Sequence, residues 1–325
     1  MTTTRRCAGA LLSVALLVGV AGCTSPSPTG DAVSTSAAPV VVDHQFGSTT
    51  IPANPRRVVT IGSGWSDTLV ELGVPITAEF VVQGYAGPDN RFAWTPRHDS
   101  TVIPYAASAG APGVADVARF APDVILAGYL PDQGVYEQLS KIAPTVPVMA
   151  KGAVNDSWQD LTIVAGKIFG KQQRARQAVD DVDTRVAAVA AEYPAARRKT
   201  FSFGQLTADR QFGVVASSGD PSSRLLEQVG LTLDPAVRNT GANGQRVIVS
   251  AERIDLLRSD LLIFWPLVGG PETFAAIPGW NDLPAVRSGA TVFLTNDDAS
   301  GFGAPSVLSV PWAVEKLRPA LARLR

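Results

Sequence analysis

Residues 57–82, RVVTIGSGWSDTLVELGVPITAEFVV, decide the fold class. The apolar segment over 57–61 lacks polar alternation, which is typical of a strand buried on both faces. Glycines end it, and Ser66 or Asp67 is suited to cap the helix that follows. A second apolar strand is predicted over 76–82. Strand, helix and strand in this order predict a parallel sheet covered by helices.

Alternating strands and helices are predicted both before and after one long helical segment. In the inter-lobe segment over 155–194, apolar side chains recur at steps of three and four from Trp158 to Tyr193, which predicts one helix roughly 54 Å long. Gly166 and Gly170 weaken this helix near its start and allow a bend there. We therefore predict an α/β protein with two Rossmann-like lobes, an N-terminal one over 40–154 and a C-terminal one over 195–325.

The N-terminus predicts export. Two arginines precede 13 uncharged apolar residues, which is too short for a membrane span and typical of a signal peptide, assigned to residues 1–22. Small residues before Cys23 resemble a bacterial lipobox, which implies lipidation of Cys23. An ordinary secretory signal with an incidental cysteine is the alternative. Residues 23–39 then form the lipidated cysteine and a disordered Ser/Thr/Pro/Ala linker.

Composition excludes several classes of function. The 28 basic and 29 acidic residues give a net charge of −1, which offers no basic surface to nucleic acid. Two cysteines make no disulfide framework. His44 and His98 are too few for a zinc or manganese site built on imidazoles, so no metal site is predicted. No G-x-S-x-G elbow, P-loop or dinucleotide fingerprint is present, so we predict no enzyme activity and no cofactor.

Four segments of the chain, taken together and in order, resemble the iron–siderophore substrate-binding lipoproteins of bacterial ABC importers. This group also includes binding proteins for cobalamin and haem. The resemblance spans residues 44–325 and is carried by residues 44–76, 118–148, 245–265 and 306–317. It implies two lobes joined by one long rigid helix, with a small-molecule iron chelate held in the cleft between them. It also implies a monomer that is lipid-anchored at the outer face of the cytoplasmic membrane and delivers its ligand to an importer permease.

Most candidate ligand contacts come from the loops after strands, because ligands of open α/β sheets collect beyond the carboxyl ends of the strands. Arg246 is a candidate for another reason: it precedes the apolar segment over 247–249, and the resemblance implies an arginine just ahead of the helix that follows. Aromatic faces supply contact area, and guanidinium groups bind chelate oxygens with two parallel hydrogen bonds. If haem were the ligand, Tyr85 or Tyr129 would bind its iron. The alternative role of each aromatic residue is packing. The alternative position of each arginine is on the solvated surface. The candidates, several of them from the long Gly/Pro-rich stretch over 83–104, are Trp65, Tyr85, Arg91, Trp94, Tyr129, Arg210, Arg246, Trp265 and Phe302.

The resemblance further implies that one acidic residue of each lobe docks on the permease. Glu252 stands at the C-terminal position. The N-terminal position holds Ala115, with Asp116 beside it, so Asp116 is the candidate there. A helix N-terminal charge is the alternative for Glu252. Because the acidic pair departs from the family pattern, a ligand-binding lipoprotein without a transport role is a further alternative.

Overall fold

The computed structural model describes residues 38–240 and 246–325. The predicted signal peptide, Cys23 and most of the linker therefore lie outside the described residues. The described chain begins with an antiparallel hairpin of β1 (Val40–His44) and β2 (Gly47–Ile51). Val42 and Ile51 are the buried apolar residues of this hairpin, and they pack it against the N-terminal core.

The N-terminal lobe contains the strand–helix–strand unit predicted from residues 57–82. Its elements are β3 (Val58–Ile61), α1 (Ser63–Glu71), β4 (Ala78–Val82), β5 (Thr101–Tyr105), α2 (Val114–Ala118), β6 (Val124–Ala127), α3 (Gln133–Ser140) and β7 (Thr145–Val146). The sheet is entirely parallel, with strand order β5-β4-β3-β6-β7. All four residues of the central strand β3 are buried, as its uninterrupted apolar sequence predicts.

The start of α1 differs from the expected one. The helix begins at Ser63, so Ser66 and Asp67 lie inside it and do not cap it. Gly62 has a φ of 93°, a backbone conformation that glycine tolerates and other residues rarely adopt. This glycine turns the chain from β3 into α1 within one residue, and it places Asp67 on the buried side of the helix.

The single helix expected over 155–194 is two helices, α4 (Trp158–Ile168) and α5 (Gln172–Glu192). Gly170 separates them with a φ of 65°. A Cβ on Gly166 would lie 2.5 Å from that of Ala175, so this glycine lets the two helices pack closely. The prediction of one unbroken helix was wrong because Gly170 ends the first helix, at the place where a bend was allowed, and Gly166 lets the second helix pack against the first.

The second of these helices connects the lobes. Ala175, in its first turn, packs in the N-terminal core, while Val182, Val186 and Val189 pack in the C-terminal core. With 21 residues, α5 is about 31 Å long. A helix that is buried in both cores holds them together more firmly than a loop does.

The C-terminal lobe is a mixed α/β unit. Its elements are β8 (Thr200–Leu206), β9 (Phe212–Val215), α6 (Pro221–Gln228), β10 (Thr232–Leu233), α7 (Pro235–Arg238), β11 (Arg246–Val249), β12 (Leu261–Pro266), α8 (Glu272–Ala275), α9 (Pro284–Ser288), β13 (Thr291–Phe293), α10 (Asn296–Gly303) and α11 (Ser309–Leu321). The strand order is β11-β9-β8-β12-β13, and β10 pairs with β8. Strand β9 runs antiparallel to β8 and β11, and the other pairs are parallel. Two sheet-containing α/β lobes confirm the predicted fold class.

Candidate ligand-binding cleft

A cavity of about 610 Å³ lies between the two lobes. Its volume is in the range that holds a bulky small molecule. The N-terminal side is formed where β3, β4, β5 and β6 end, because parallel strands bring their carboxyl ends to one edge of the sheet. The C-terminal side is formed by β8, β11, β12 and the end of α10. Asn155, Asp156 and Leu161, around the start of α4, complete the lining.

The N-terminal side, which we call the aromatic wall, consists of Trp65, Tyr85, Phe92, Tyr105 and Tyr129. Tyr85 and Tyr129 are 46% and 50% exposed, so their rings are open to a ligand. Trp65 is fixed beneath them, since its indole N–H donates to the carbonyl of Ala127 at 3.3 Å. Burial raises the pKa of Tyr105, so its hydroxyl stays protonated at neutral pH and can donate a hydrogen bond.

The C-terminal side, which we call the cationic wall, consists of Gln205, Arg246, Trp265 and Ser300. The guanidinium carbon of Arg246 lies 5.4 Å from the centre of the Trp265 ring, a cation–π contact that orients the charge. Partial loss of surrounding water lowers the pKa of Arg246, although the residue is exposed, and the negative charge of Asp220 opposes that shift. Because the pKa of arginine is normally far above neutrality, Arg246 stays charged.

One acidic side chain also lines the cleft. Asp156 is buried, and its carboxylate accepts hydrogen bonds from the backbone N–H groups of Met149, at 2.9 and 3.0 Å, and Ala150, at 2.8 Å. Burial is the main cause of the raised pKa of Asp156, which those hydrogen bonds partly offset. The carboxylate is therefore satisfied within the protein and holds the chain that enters α4.

Five of the nine candidate ligand contacts line this cavity. They are Trp65, Tyr85 and Tyr129 on the aromatic wall and Arg246 and Trp265 on the cationic wall. The rule that selected loops after strands thus brought together residues from four separate strand ends. Their role as ligand contacts stays a prediction.

Two of the arginines selected from sequence do not line the cavity. Arg91 lies in a small recess behind the aromatic wall, where its guanidinium is 3.7 Å from the buried carboxylate of Glu79. Arg210 occupies the tight turn between β8 and β9, is exposed, and has a φ of 59°. Both were expected in the cleft because they follow strands, but one is held by a carboxylate and the other lies in a surface turn.

Two of the aromatic candidates are packing residues. Phe302 is fully buried in the C-terminal core, 6.1 Å from Phe203 between ring centres. Trp94 is 9% exposed and packs against Trp312, with 4.8 Å between ring centres. Phe302 was expected in a loop, but it lies on α10, whose inward face is buried.

Several lining residues were not selected from sequence. Tyr105 ends β5, the strand beside β4, so the same rule finds it once that strand is recognised. Gln205 lies next to the carboxyl end of β8, so the same rule finds it as well. Phe92 and Ser300 carry no comparable signal, since their positions depend on how the lobes meet.

The lobes also meet directly beside the cleft. Asp67 on α1 accepts hydrogen bonds from the Trp94 indole at 2.8 Å, the Thr95 hydroxyl at 2.6 Å and the Ser306 hydroxyl at 2.5 Å. Ser306 belongs to the C-terminal lobe, so this set of four residues, which we call the Asp67 contact, links the two lobes. Burial raises the pKa of Asp67 to about 6, although its three hydrogen bonds act in the opposite direction.

Helix α10 strengthens this junction. The Asn296 side chain donates to the carbonyl of Gly84 at 2.6 Å, and the Ser300 hydroxyl donates to that of Tyr85 at 2.9 Å. A Cβ on Gly301 would lie 2.8 Å from the rings of both Trp94 and Trp312, so only glycine fits between them. The loop that carries Tyr85 is therefore held by the opposite lobe.

The two candidate docking residues are both exposed. Asp116 lies in the first turn of α2, and Glu252 lies in the short 3-10 helix over Ala251–Leu257. In the part of the chain that the structure describes, no three His, Cys, Asp or Glu side chains form a group able to hold a metal ion.

Residues 87–298 match the family model described as "Periplasmic binding protein". The chain belongs to the periplasmic binding protein family. The match extends over parts of both lobes and includes lining residues from both sides of the cleft, among them Tyr129, Arg246 and Trp265. Members of this family bind solutes and do not transform them, which confirms the prediction of a binding protein and not an enzyme.

Individual members of the periplasmic binding protein family resemble this chain over different lengths. "Fe(3+)-citrate-binding protein YfmC" of Bacillus subtilis is 26% identical over 288 residues, which are 86% of this chain and 87% of that protein. "Probable siderophore-binding lipoprotein YfiY" of the same organism is 27% identical over 170 residues, 52% of this chain and 50% of that protein. The crystal structure of a periplasmic solute binding protein from Mycobacterium smegmatis superposes with a TM-score of 0.73 at 28% identity, over 88% of this chain and 99% of that one.

Proposed function

We propose that this protein captures a ferric siderophore in the cleft between its lobes and delivers it to a bacterial ABC importer. The observation that carries the proposal is the pairing of an aromatic wall with a single guanidinium, Arg246, across a cavity of about 610 Å³. The similarity to a ferric-citrate-binding protein over most of both chains supports an iron chelate as the ligand class.

The chemistry of the two walls suits such a ligand. A ferric siderophore is bulky, presents apolar carbon to its surroundings and carries anionic oxygens around the metal. Tyr85 and Tyr129 offer exposed ring faces for the carbon part. Arg246 directs its planar fork of donors at the chelate oxygens, a geometry in which two hydrogen bonds form in parallel.

Haem and cobalamin are the alternative ligands in the same cleft. Haem is the second candidate because Tyr129 and Tyr85 both line the cavity with exposed rings, and tyrosine is one of the side chains that bind haem iron. A haem complex would show the optical spectrum of tyrosine-ligated ferric iron, which a siderophore complex lacks.

Anchoring and delivery belong to the same proposal. Lipid on Cys23 and a linker to residue 39 would hold the protein at the outer face of the cytoplasmic membrane, and Glu252 and Asp116 would dock on the permease. Within residues 38–240 and 246–325, the structure contains no helix with both the length and the apolar character needed to cross a membrane. A monomer fits a chain in which both walls of the cleft come from one molecule.

Tryptophan emission tests the ligand assignment. Trp65 and Trp265 line opposite walls, so a bound ferric chelate should quench the emission of the purified mature protein. The titration panel contains a ferric tris-hydroxamate, a ferric tris-catecholate, ferric citrate, haem and cobalamin. We expect one-to-one saturable binding of at least one ferric siderophore with a Kd below about 1 µM. Saturable binding of haem or cobalamin alone, or of none of the panel, would overturn the assignment.

Iron uptake tests the delivery role. Cells that lack the protein should regain uptake of the bound chelate when the parent gene is supplied. A variant carrying both Glu252→Ala and Asp116→Ala should bind the chelate like the parent and restore little uptake. Equal uptake by the parent and the double variant would remove these two residues from the docking surface. Uptake that is independent of the protein would favour a binding lipoprotein without a transport role.

A further inference from the structure

We infer that the cleft selects a ferric chelate of low net charge, of the tris-hydroxamate kind, and discriminates against a highly anionic tris-catecholate. This inference rests on the proposed function and refines its ligand class. It is argued from the charges that line the cleft and from the partners of the charged groups nearby.

The cleft carries one positive charge. Among the lining residues that the structure describes, Arg246 is the single base, and Asp156 is the single acid. The segment over 241–245, which precedes Arg246, has the sequence GANGQ and adds no ionisable side chain. The lining as a whole is therefore close to neutral.

The positive charge of Arg246 is also partly compensated within the protein. The Arg246 guanidinium rests against the electron-rich face of Trp265, 5.4 Å from the ring centre. This contact reduces the attraction that remains for an anionic ligand. The negative charge of Asp220 acts in the same direction, since it raises the pKa of Arg246.

Two further bases near the cleft are held by carboxylates. Arg91 faces the buried Glu79, with 3.7 Å between their charged atoms. Lys316 donates to Asp298 at 2.6 Å and lies over the ring of Trp312, 4.8 Å from its centre. Moving either base into the cleft would remove the cation beside a buried carboxylate, which is costly.

The two chelate classes differ strongly in charge. Three singly charged hydroxamates neutralise a ferric ion, whereas three doubly charged catecholates leave the complex triply anionic. One guanidinium cannot compensate three negative charges that lose part of their water in a cleft with aromatic walls. A neutral tris-hydroxamate still offers polarised oxygens to Arg246, and its carbon skeleton suits the exposed rings of Tyr85 and Tyr129.

The test is calorimetric titration of the mature protein with a ferric tris-hydroxamate and a ferric tris-catecholate under identical salt and pH. We expect the hydroxamate to bind at least about tenfold more tightly. A catecholate that binds as tightly as the hydroxamate, or more tightly, overturns the inference and leaves the proposed function intact. If neither chelate nor ferric citrate binds, the proposed function itself fails.

A charge-added variant makes the test independent of chelate shape. Gln205→Arg places a second guanidinium on the cationic wall, and Gln205→Met is the matched control of similar length without charge. We expect Gln205→Arg to shift the affinity ratio toward the catecholate by about tenfold or more relative to Gln205→Met, which loses the same amide without adding a charge. If Gln205→Arg is folded by circular dichroism and its ratio equals that of the parent, charge does not set the selectivity and the inference is wrong. Should Gln205→Arg not fold, Ser300→Arg with Ser300→Met as its control gives the same comparison.

Discussion

The two walls of the cleft are built in different ways. The aromatic wall takes Trp65, Tyr105 and Tyr129 from three different strand ends and Tyr85 and Phe92 from a long loop. The cationic wall concentrates its charge in one side chain, Arg246, which rests on Trp265. We conclude that the aromatic wall gives a broad contact surface that accepts varied carbon skeletons, while the cationic wall orients the ligand and sets the charge it must carry.

The packing behind the aromatic wall carries the largest expected effect. Phe92 stacks on Trp94 with 4.8 Å between ring centres, and Trp94 in turn packs on Trp312 and donates to Asp67. Trp94→Ala should lower the free energy of unfolding by about 3–5 kcal/mol, since it leaves a cavity and breaks a buried hydrogen bond. Urea unfolding measures this loss. Trp94→Phe, which keeps most of the packing, is the control and should lose less than half as much; equal losses in the two variants would show that packing contributes little.

The Asp67 contact should make stability depend on pH. The folded pKa of Asp67 is about 6, above its ordinary value of 3.8, so the folded state holds the proton more tightly than the unfolded state. The contribution of this group to stability is therefore full at low pH and falls as pH rises from about 4 to 6. The total fall is on the order of 2–3 kcal/mol, and it should be absent in Asp67→Asn.

Thermal unfolding between pH 4 and 7.5 measures this effect as the difference between the parent and Asp67→Asn. Glu79 and His98 lie close to each other, at 2.9 Å, but they are present in both proteins and should cancel in the difference. A difference that stays constant with pH would mean that Asp67 is ionised in the folded protein at every pH tested.

Arg246 should dominate ligand binding on the cationic wall. Arg246→Ala should weaken binding of an anionic ferric chelate by about ten- to a hundredfold, because a charge-assisted hydrogen bond contributes roughly 1.5–3 kcal/mol. Arg246→Lys should recover only part of that loss, since a point charge lacks the planar fork. Titration of the three proteins with one chelate, after circular dichroism shows that each is folded, gives the comparison. Unchanged affinity in Arg246→Ala would show that the guanidinium of the cationic wall does not contribute to ligand binding.

A single residue of the aromatic wall should matter least. Tyr129 is 50% exposed, and its ring is one of several in contact range of a ligand. Tyr129→Ala should weaken binding by about three- to tenfold, in line with the contribution of one aromatic contact. Tyr129→Phe retains the ring and should bind like the parent. A loss in Tyr129→Phe as large as in Tyr129→Ala would assign a specific role to the hydroxyl.

The elements that sequence predicted well are those whose burial is uniform. The strands β3 and β6 are almost entirely apolar because both of their faces are covered, and that pattern is visible without knowledge of the fold. Strand β5 is not predicted from sequence, because it is an edge strand in which no residue is fully buried and it contains Pro104. Missing β5 also meant missing Tyr105.

The residues placed wrongly are those whose surroundings come from distant parts of the chain. From sequence alone, Trp94 is an aromatic residue in a loop. The fold brings Asp67 and Trp312 beside it, and these contacts make it a packing residue. Phe302 lies between two glycines, whose low helix propensity argues against the helix α10 that contains them. The capping box of Thr295 and Asp298 nevertheless marks the start of this helix. Arg91 lies outside the cleft because it pairs with Glu79, and no local sequence pattern predicts that contact.

The central claim, that a ferric chelate binds between the two walls, is tested most directly by locating the iron. Crystals of the protein grown with the best ligand of the panel would give an anomalous difference map at the iron absorption edge. The account predicts one strong peak inside the cleft, between Trp65 and Trp265 and beside Arg246. A peak elsewhere on the molecule, or a saturated complex without iron in the cleft, would contradict it.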